Sequence, residues 1–266
     1  NFYSGISHGT LVLSTMGGYK EGQIVGTAPD AGYYLYITED GDNEGPLEES
    51  LWVEAAEEAD RLGVDIITTS LGYSNFDNPD YSHTYEDMDG VSTFISQGVN
   101  FAFSRGMICV VSAGNEGNND WHYITAPADA TYALTAGAVN ADGDYASFSS
   151  YGPSFDGRVK PDVATQGAGS VVSGVNGNVT TSSGTSFSCP ILAGMVASFW
   201  QAVPEMTNAQ IVQFIKESAS QFSNPDDELG YGIPNFAEAL EAALSTQLFN
   251  HTKTFAIFPN PAGSTV

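Results

Sequence analysis

Residues 49–70 read ESLWVEAAEEADRLGVDIITTS, and within this stretch the apolar spacing switches from one period to another. Trp52, Ala55, Ala56, Ala59 and Leu62 share one helical face, and Gly63 ends that helix. VDIITTS (64–70) follows at once as a buried, β-rich run. The same succession recurs downstream, where VSTFISQGVNFAFSRG (91–106) closes on Arg-Gly and gives way to MICVVSAG (107–114). ALTAGAV (133–139) reads as a further strand, and YYLYIT (33–38) as one upstream. Strands alternating with helices that exit through glycine predict an α/β fold of three layers, α/β/α, around a mostly parallel sheet.

Outward from that centre, GTLVLSTMGGY (9–19) suits a buried helix stopped by a glycine pair. FSCPILAGMVASFWQAV (187–203) is apolar on every face, as a central helix would be. Thr207 with Gln210 forms a capping box for a helix carrying Ile211, Val212 and Ile215, and Asn235 opens a last helix, FAEALEAALS. The pattern breaks near residue 248. The expected organisation is a catalytic-type domain over 1–247 and a linker leading into a further domain over 248–266. Both ends look cut: the chain is expected to be a fragment missing the front of its domain and the end of its tail.

The chain has 266 residues, with 32 Asp and Glu against 7 Lys and Arg, a formal net charge of −25. A duplex binder needs a basic face to displace condensed counterions, so nucleic acid is excluded as a partner. Anionic membrane surfaces are disfavoured for the same reason. No apolar run reaches the ~18 residues of a spanning helix. Cys109 and Cys189 both lie in apolar runs and read as small buried residues, not as a disulfide framework.

Three short segments concentrate the groups that nucleophilic catalysis uses. SHGT (7–10) puts His8 at the start of a helix, where it reads as a general base or as a mere neighbour of the cap. SAGNEGN (112–118) sits at the carboxyl end of a strand, and Asn115 there is an oxyanion donor or a turn residue. SGTSFSCP (183–190) places Ser186 in the first turn of an apolar helix, with Pro190 read into that same turn. Its hydroxyl then acts as a nucleophile beside the helix dipole, or only caps the helix. The G-x-S-x-G elbow of α/β-hydrolases fits worse, because position 188 is Ser.

His, Asn and Ser in this order, set in HGT, SAGN and GTSFS, closely resemble the subtilisin-like serine peptidases. SLG (70–72), ASFSSYGP (146–153) and VKPDV (159–163) match that family's landmarks in sequence order, and the likeness covers roughly residues 5–245. The resemblance implies a secreted serine endopeptidase working through an acyl-enzyme, with Ser186 as nucleophile, His8 as base, and Asn115 with the Ser186 N–H as oxyanion hole. It implies that Ser70, Leu71 and Gly72 pair with the substrate backbone and that Ala113 and Gly114 line the S1 pocket. Thr125 is a candidate for that pocket's floor. The implied partner is a protein or peptide substrate, bound by a monomer. No cofactor is required for the chemistry and no metal ligand is assigned, although the family often holds structural Ca²⁺.

The sequence departs from the family in three places. The family's catalytic Asp lies upstream of the His, and no Asp after His8 stands in a matching context, so the acid is expected before this stretch. Leu11 stands where the family repeats a His, and Cys189 replaces the usual small residue before Pro190. A non-catalytic, peptide-binding or structural member of the family, or an esterase using Ser186, is the alternative. EDGDNEGPLEE (39–49) opens like a Ca²⁺ loop but has Leu51 where the bidentate acid belongs, so its acids read as helix N-terminal residues. His83 and His122 read as surface residues. TFAIFPNPAGS (254–264) resembles the opening of the sorting domains of proteins exported by the type IX secretion route, which places the protein outside the cell or on its surface.

Overall fold

The structure, a computed structural model, describes residues 7–252. In chain order the elements are α1 (His8–Gly17), β1 (Tyr19–Lys20), β2 (Ile24–Val25), α2 (Pro46–Leu62) and β3 (Ile66–Thr69). There follow α3 (Phe94–Ser104), β4 (Ile108–Ser112), β5 (Leu134–Val139), β6 (Val163–Gln166), β7 (Ser170–Ser173) and β8 (Val179–Ser182). The chain then turns helical, through α4 (Thr185–Ala202), α5 (Asn208–Glu217) and α6 (Phe236–Thr252).

β3, β4, β5 and β6 form one sheet in that order, and every pairing in it is parallel. All five residues of β4 and all six of β5 are buried, as expected where helices cover both faces. The period-2 alternation of β4 then divides two cores: Ile108 and Val110 join Leu192, Val196 and Ile211 on one side. Cys109 and Val111 join Trp52, Ile95 and Val99 on the other. α2 and α3 therefore cover one face, while α4, α5 and α6 cover the other with α1. These are the three layers expected from the sequence.

The local signals act as their chemistry dictates. Gly63 leaves α2 with φ 76°, a left-handed conformation that glycine enters without a Cβ penalty. Thr207 and Gln210 exchange capping bonds at the start of α5. Both cysteines are buried and free.

The structure departs from these expectations at several places. Residues 33–38 form no strand: Tyr34, Leu35 and Ile37 are exposed, and β3 bonds only to β4. A β-rich run becomes a strand only when a neighbouring ladder takes up its N–H and C=O groups, and none of the described residues does so. Pro190 is the sixth residue of α4 and so lies past its first turn. His83 is half-buried, with its Nε2 2.6 Å from buried Glu49, which needs a partner out of water. His122 is half-buried and stacks at 5.0 Å on Tyr151. α6 also runs beyond residue 248, to Thr252. The TFAIFPNPAGS segment lies outside the described residues.

Candidate active site

Loops at the carboxyl ends of the parallel strands enclose a cleft of about 190 Å³. His8, Asn115 and Ser186, which are far apart in sequence, all line it. Such a position follows from the sheet: parallel strands point their carboxyl ends, and the turns that leave them, to one side.

α1 packs on α4 and brings His8, its first residue, to the cleft, with its ring 6.3 Å from that of Phe187. Partial burial lowers the imidazole pKa below its ordinary value and so favours the neutral, proton-accepting form. Among the described residues, His83 with Glu49 is the single His–carboxylate pair, and none involves His8.

Ser186 sits one residue into α4, behind Gly184 at φ 154°, a conformation that L side chains rarely adopt. The first N–H groups of a helix have no acceptor inside it, which leaves the Ser186 amide aimed out of the helix end. Pro190 has a second consequence. It lacks the N–H that would bond back to the Ser186 carbonyl four residues earlier, and the Ser70 hydroxyl donates to that carbonyl instead, at 2.9 Å. The strand edge at 70–72 is thereby tied to the nucleophile turn.

Asn115 is oriented from behind. Its Oδ1 accepts from the Thr185 N–H at 2.9 Å and from the Thr185 hydroxyl at 3.1 Å, which directs Nδ2 the other way. Thr185 is wholly buried, and its hydroxyl also lies 3.0 Å from the Gly114 carbonyl. A fixed amide beside a helix N-terminus is an arrangement suited to a developing oxyanion.

Of the residues expected to contact substrate, Ser70, Leu71, Gly72, Gly114 and Thr125 line the cleft. Ala113 does not. It is fully buried, with its N–H bonded to Ala136 and its carbonyl accepting from Thr125. Ser74, Ser112 and Glu116 line the cleft without having been singled out. Ser112 ends β4 and Glu116 directly follows Asn115, so both belong to the stretch that SAGNEGN already marked, and Ser74 follows closely on SLG.

Glu39, Glu44 and Glu48 bring carboxylate oxygens within 4.8 Å of one another, the one such acidic group among the described residues. Glu48 accepts from the Asp40 and Gly45 amides, and Glu39 from the Tyr73 hydroxyl.

The subtilase family model matches residues 2–232. The chain belongs to the subtilase family, a family of serine-type peptidases. It is 32% identical over 238 residues to Subtilisin BL of Lederbergia lenta, covering 88% of this chain and 77% of that protein. M-protease of Shouchella clausii is also 32% identical over 238 residues, covering 88% of this chain and 55% of that protein. Serine protease AprX of Bacillus subtilis is 28% identical over 263 residues, and the chain spans 57% of its length. Among solved structures, Sphericase superposes with a TM-score of 0.67 at 27% identity, over 86% of this chain and 77% of that one. The self-cleaved protease domain of PatA shares the fold, with a TM-score of 0.73 at 21% identity over 90% of this subtilase and 83% of that chain.

Proposed function

We propose that this subtilase is a secreted serine endopeptidase that hydrolyses peptide bonds through an acyl-enzyme on Ser186. The observation that carries the reading is the convergence of His8, Asn115 and Ser186 on one cleft, with Asn115 turned by Thr185. In this mechanism His8 takes the Ser186 proton as Oγ attacks the scissile carbonyl, then gives it to the leaving amine. Asn115 Nδ2 and the Ser186 N–H hold the oxyanion, a contribution worth on the order of 10²–10³ in rate for one donor. The wall at 70–72 pairs with the substrate backbone as an added strand.

The acid that fixes the His8 tautomer belongs, in this reading, to a D-[ST]-G-like segment about 25–60 residues upstream. Loss of that group from such a triad costs on the order of 10⁴ in rate. The FPNP motif at 258–261 supports delivery outside the cell by a type IX route. The enzyme acts as a monomer on protein or peptide substrates.

The test is a fluorophosphonate label and a casein digest on the full-length protein. The peptidase gives both signals, and Ser186→Ala loses both. Labelling without casein cleavage would make it an esterase, and neither signal a non-catalytic family member.

A further inference from the structure

The loop that follows the 70–72 edge returns to close the outer end of that edge. Tyr73 exchanges two backbone bonds with Ala126, its N–H donating at 2.7 Å and its carbonyl accepting at 3.0 Å. Backbone groups alternate sides along an extended chain, so those of Gly72 point away from Ala126, toward the free edge. Gly72 lines the cleft, and neither its N–H nor its carbonyl has a partner among the described residues. It is an open rung for an added strand.

The next residue along that edge is not open. The chain bends at Ser74, and the Ser74 carbonyl accepts from the His83 N–H at 2.8 Å. Nine residues after leaving the wall, the chain has thus come back to it. Phe76 reinforces the return, its N–H donating to the Ser82 hydroxyl at 3.0 Å and its ring meeting the His83 ring edge-on at 5.4 Å.

The His83 side chain fixes this arrangement from outside the wall. Its Nε2 donates to Glu49 of α2 at 2.6 Å, which sets the tautomer, since an ionised carboxylate only accepts. Glu49 is 3% exposed, and its other oxygen accepts from the Ile95 N–H at the start of α3 at 3.3 Å. A buried carboxylate holds its donors firmly, because losing one leaves charge out of water without a partner. His83 is therefore latched to two helices on one side and to the cleft wall on the other.

We propose that His83 is a positioning residue that limits the length of peptide this cleft takes: latched to Glu49, it closes the wall edge at Ser74, so an extended substrate pairs through Gly72 and no further. This rests on the reading of residues 70–72 as the edge that takes the substrate as an added strand. Ser70 is tied to the Ser186 turn, so Ser74 marks the end of the wall remote from the scissile bond.

The experiment uses the full-length protein carrying Ser186→Ala and peptides lengthened one residue at a time with Ala and Ser, one series toward the amino end and one toward the carboxyl end. Kd is read by calorimetry. In the series that runs along the wall, affinity should climb with length and then reach a plateau. His83→Pro removes the N–H that closes Ser74, and the extended Ser82 before it, with ψ 141°, accepts a following proline. Combined with Glu49→Gln, so that no buried carboxylate is stranded, it should let two residues beyond the plateau add about 5-fold in affinity. His83→Gln, which keeps a donor for Glu49, should keep the original plateau. Affinity that rises steadily with length when His83 is present, no gain with length at all, or a plateau unmoved by the double variant overturns the proposal. Casein cleavage by the protein with Ser186 intact reports on the peptidase reading separately: a plateau that shifts as expected without cleavage supports the proposal and overturns the catalytic reading instead.

Discussion

At the residue scale, the chemistry of the cleft depends on side chains that never touch substrate. Thr185 holds Asn115 Oδ1 by two bonds, and an amide free to rotate would offer its oxygen to the oxyanion as readily as its nitrogen. Thr185→Val should lower kcat about 10- to 100-fold with little change in KM, because the lost orientation matters in the transition state. Thr185→Ser, which keeps the hydroxyl, should recover most of it. Equal losses in the two variants would remove the hydroxyl from the mechanism. His8 gives a second check at this scale. Burial alone lowers its pKa, so in this 266-residue chain its imidazole should titrate below 6.5 by NMR. A carboxylate brought against it in a longer protein would raise that value. These two residues also differ in legibility: GTS and HGT marked Ser186 and His8 in the sequence, but nothing in it showed Thr185 bonding to a residue 70 positions away.

At the scale of elements, α4 carries the nucleophile and also a proline that breaks its own ladder. The Ser186 carbonyl, deprived of a helical donor by Pro190, is satisfied by Ser70 from the strand edge. Ser70→Ala removes that bond and should cost about 0.5–1.5 kcal/mol in stability by urea denaturation. Pro190→Ala, placed in the same chain, restores an N–H four residues on and should recover part of the loss. A double variant no more stable than Ser70→Ala would show that the carbonyl has another partner. The packing of α4 is equally demanding. Leu192 is fully buried in the core beneath the sheet, and Leu192→Ala should cost about 2–5 kcal/mol.

At the scale of the molecule, one buried ion triad ties the sheet to the helices over it. Asp162 accepts from Lys160 and from Lys216 of α5, each at 2.7 Å, and from the Thr135 N–H of β5 at 2.9 Å. Burial pushes its carboxyl up, but the two ammonium groups outweigh that and hold its pKa at about 2. A carboxyl depressed in the folded state stabilises fully above its unfolded value, near 3.8, and the gain is lost as pH falls through 2. Urea stability of the wild type should therefore fall steeply between about pH 4 and 2, and Asp162→Asn should lack that slope. Asp162→Ala, which strands buried Lys160 and half-buried Lys216, should cost about 3 kcal/mol. The acidic group at the start of α2 works in the opposite direction. Burial and the neighbouring carboxylates of Glu48, Glu39 and Asp77 raise Glu44 to about 7, so the folded state holds its proton longer and loses stability as pH rises from 4.5 to 7. Glu44→Gln should raise Tm at pH 8 and leave it unchanged at pH 3.5, below the unfolded value of 4.5.

The sequence by itself determined the layers, because helical and strand periodicities are local and each Gly-marked exit is written within a few residues. It also marked His8, Asn115 and Ser186, whose neighbours form contiguous motifs. It misjudged YYLYIT, because a strand exists only when a ladder partner does, and it did not show His83 pairing with Glu49, which lies 34 residues away. The exclusion of Ala113 from the cleft and the orientation of Asn115 were decided by tertiary structure alone. Each depends on which segments meet, and the physical reason is the same throughout: hydrogen bonding and packing are pairwise in space, whereas a sequence motif records only one member of the pair.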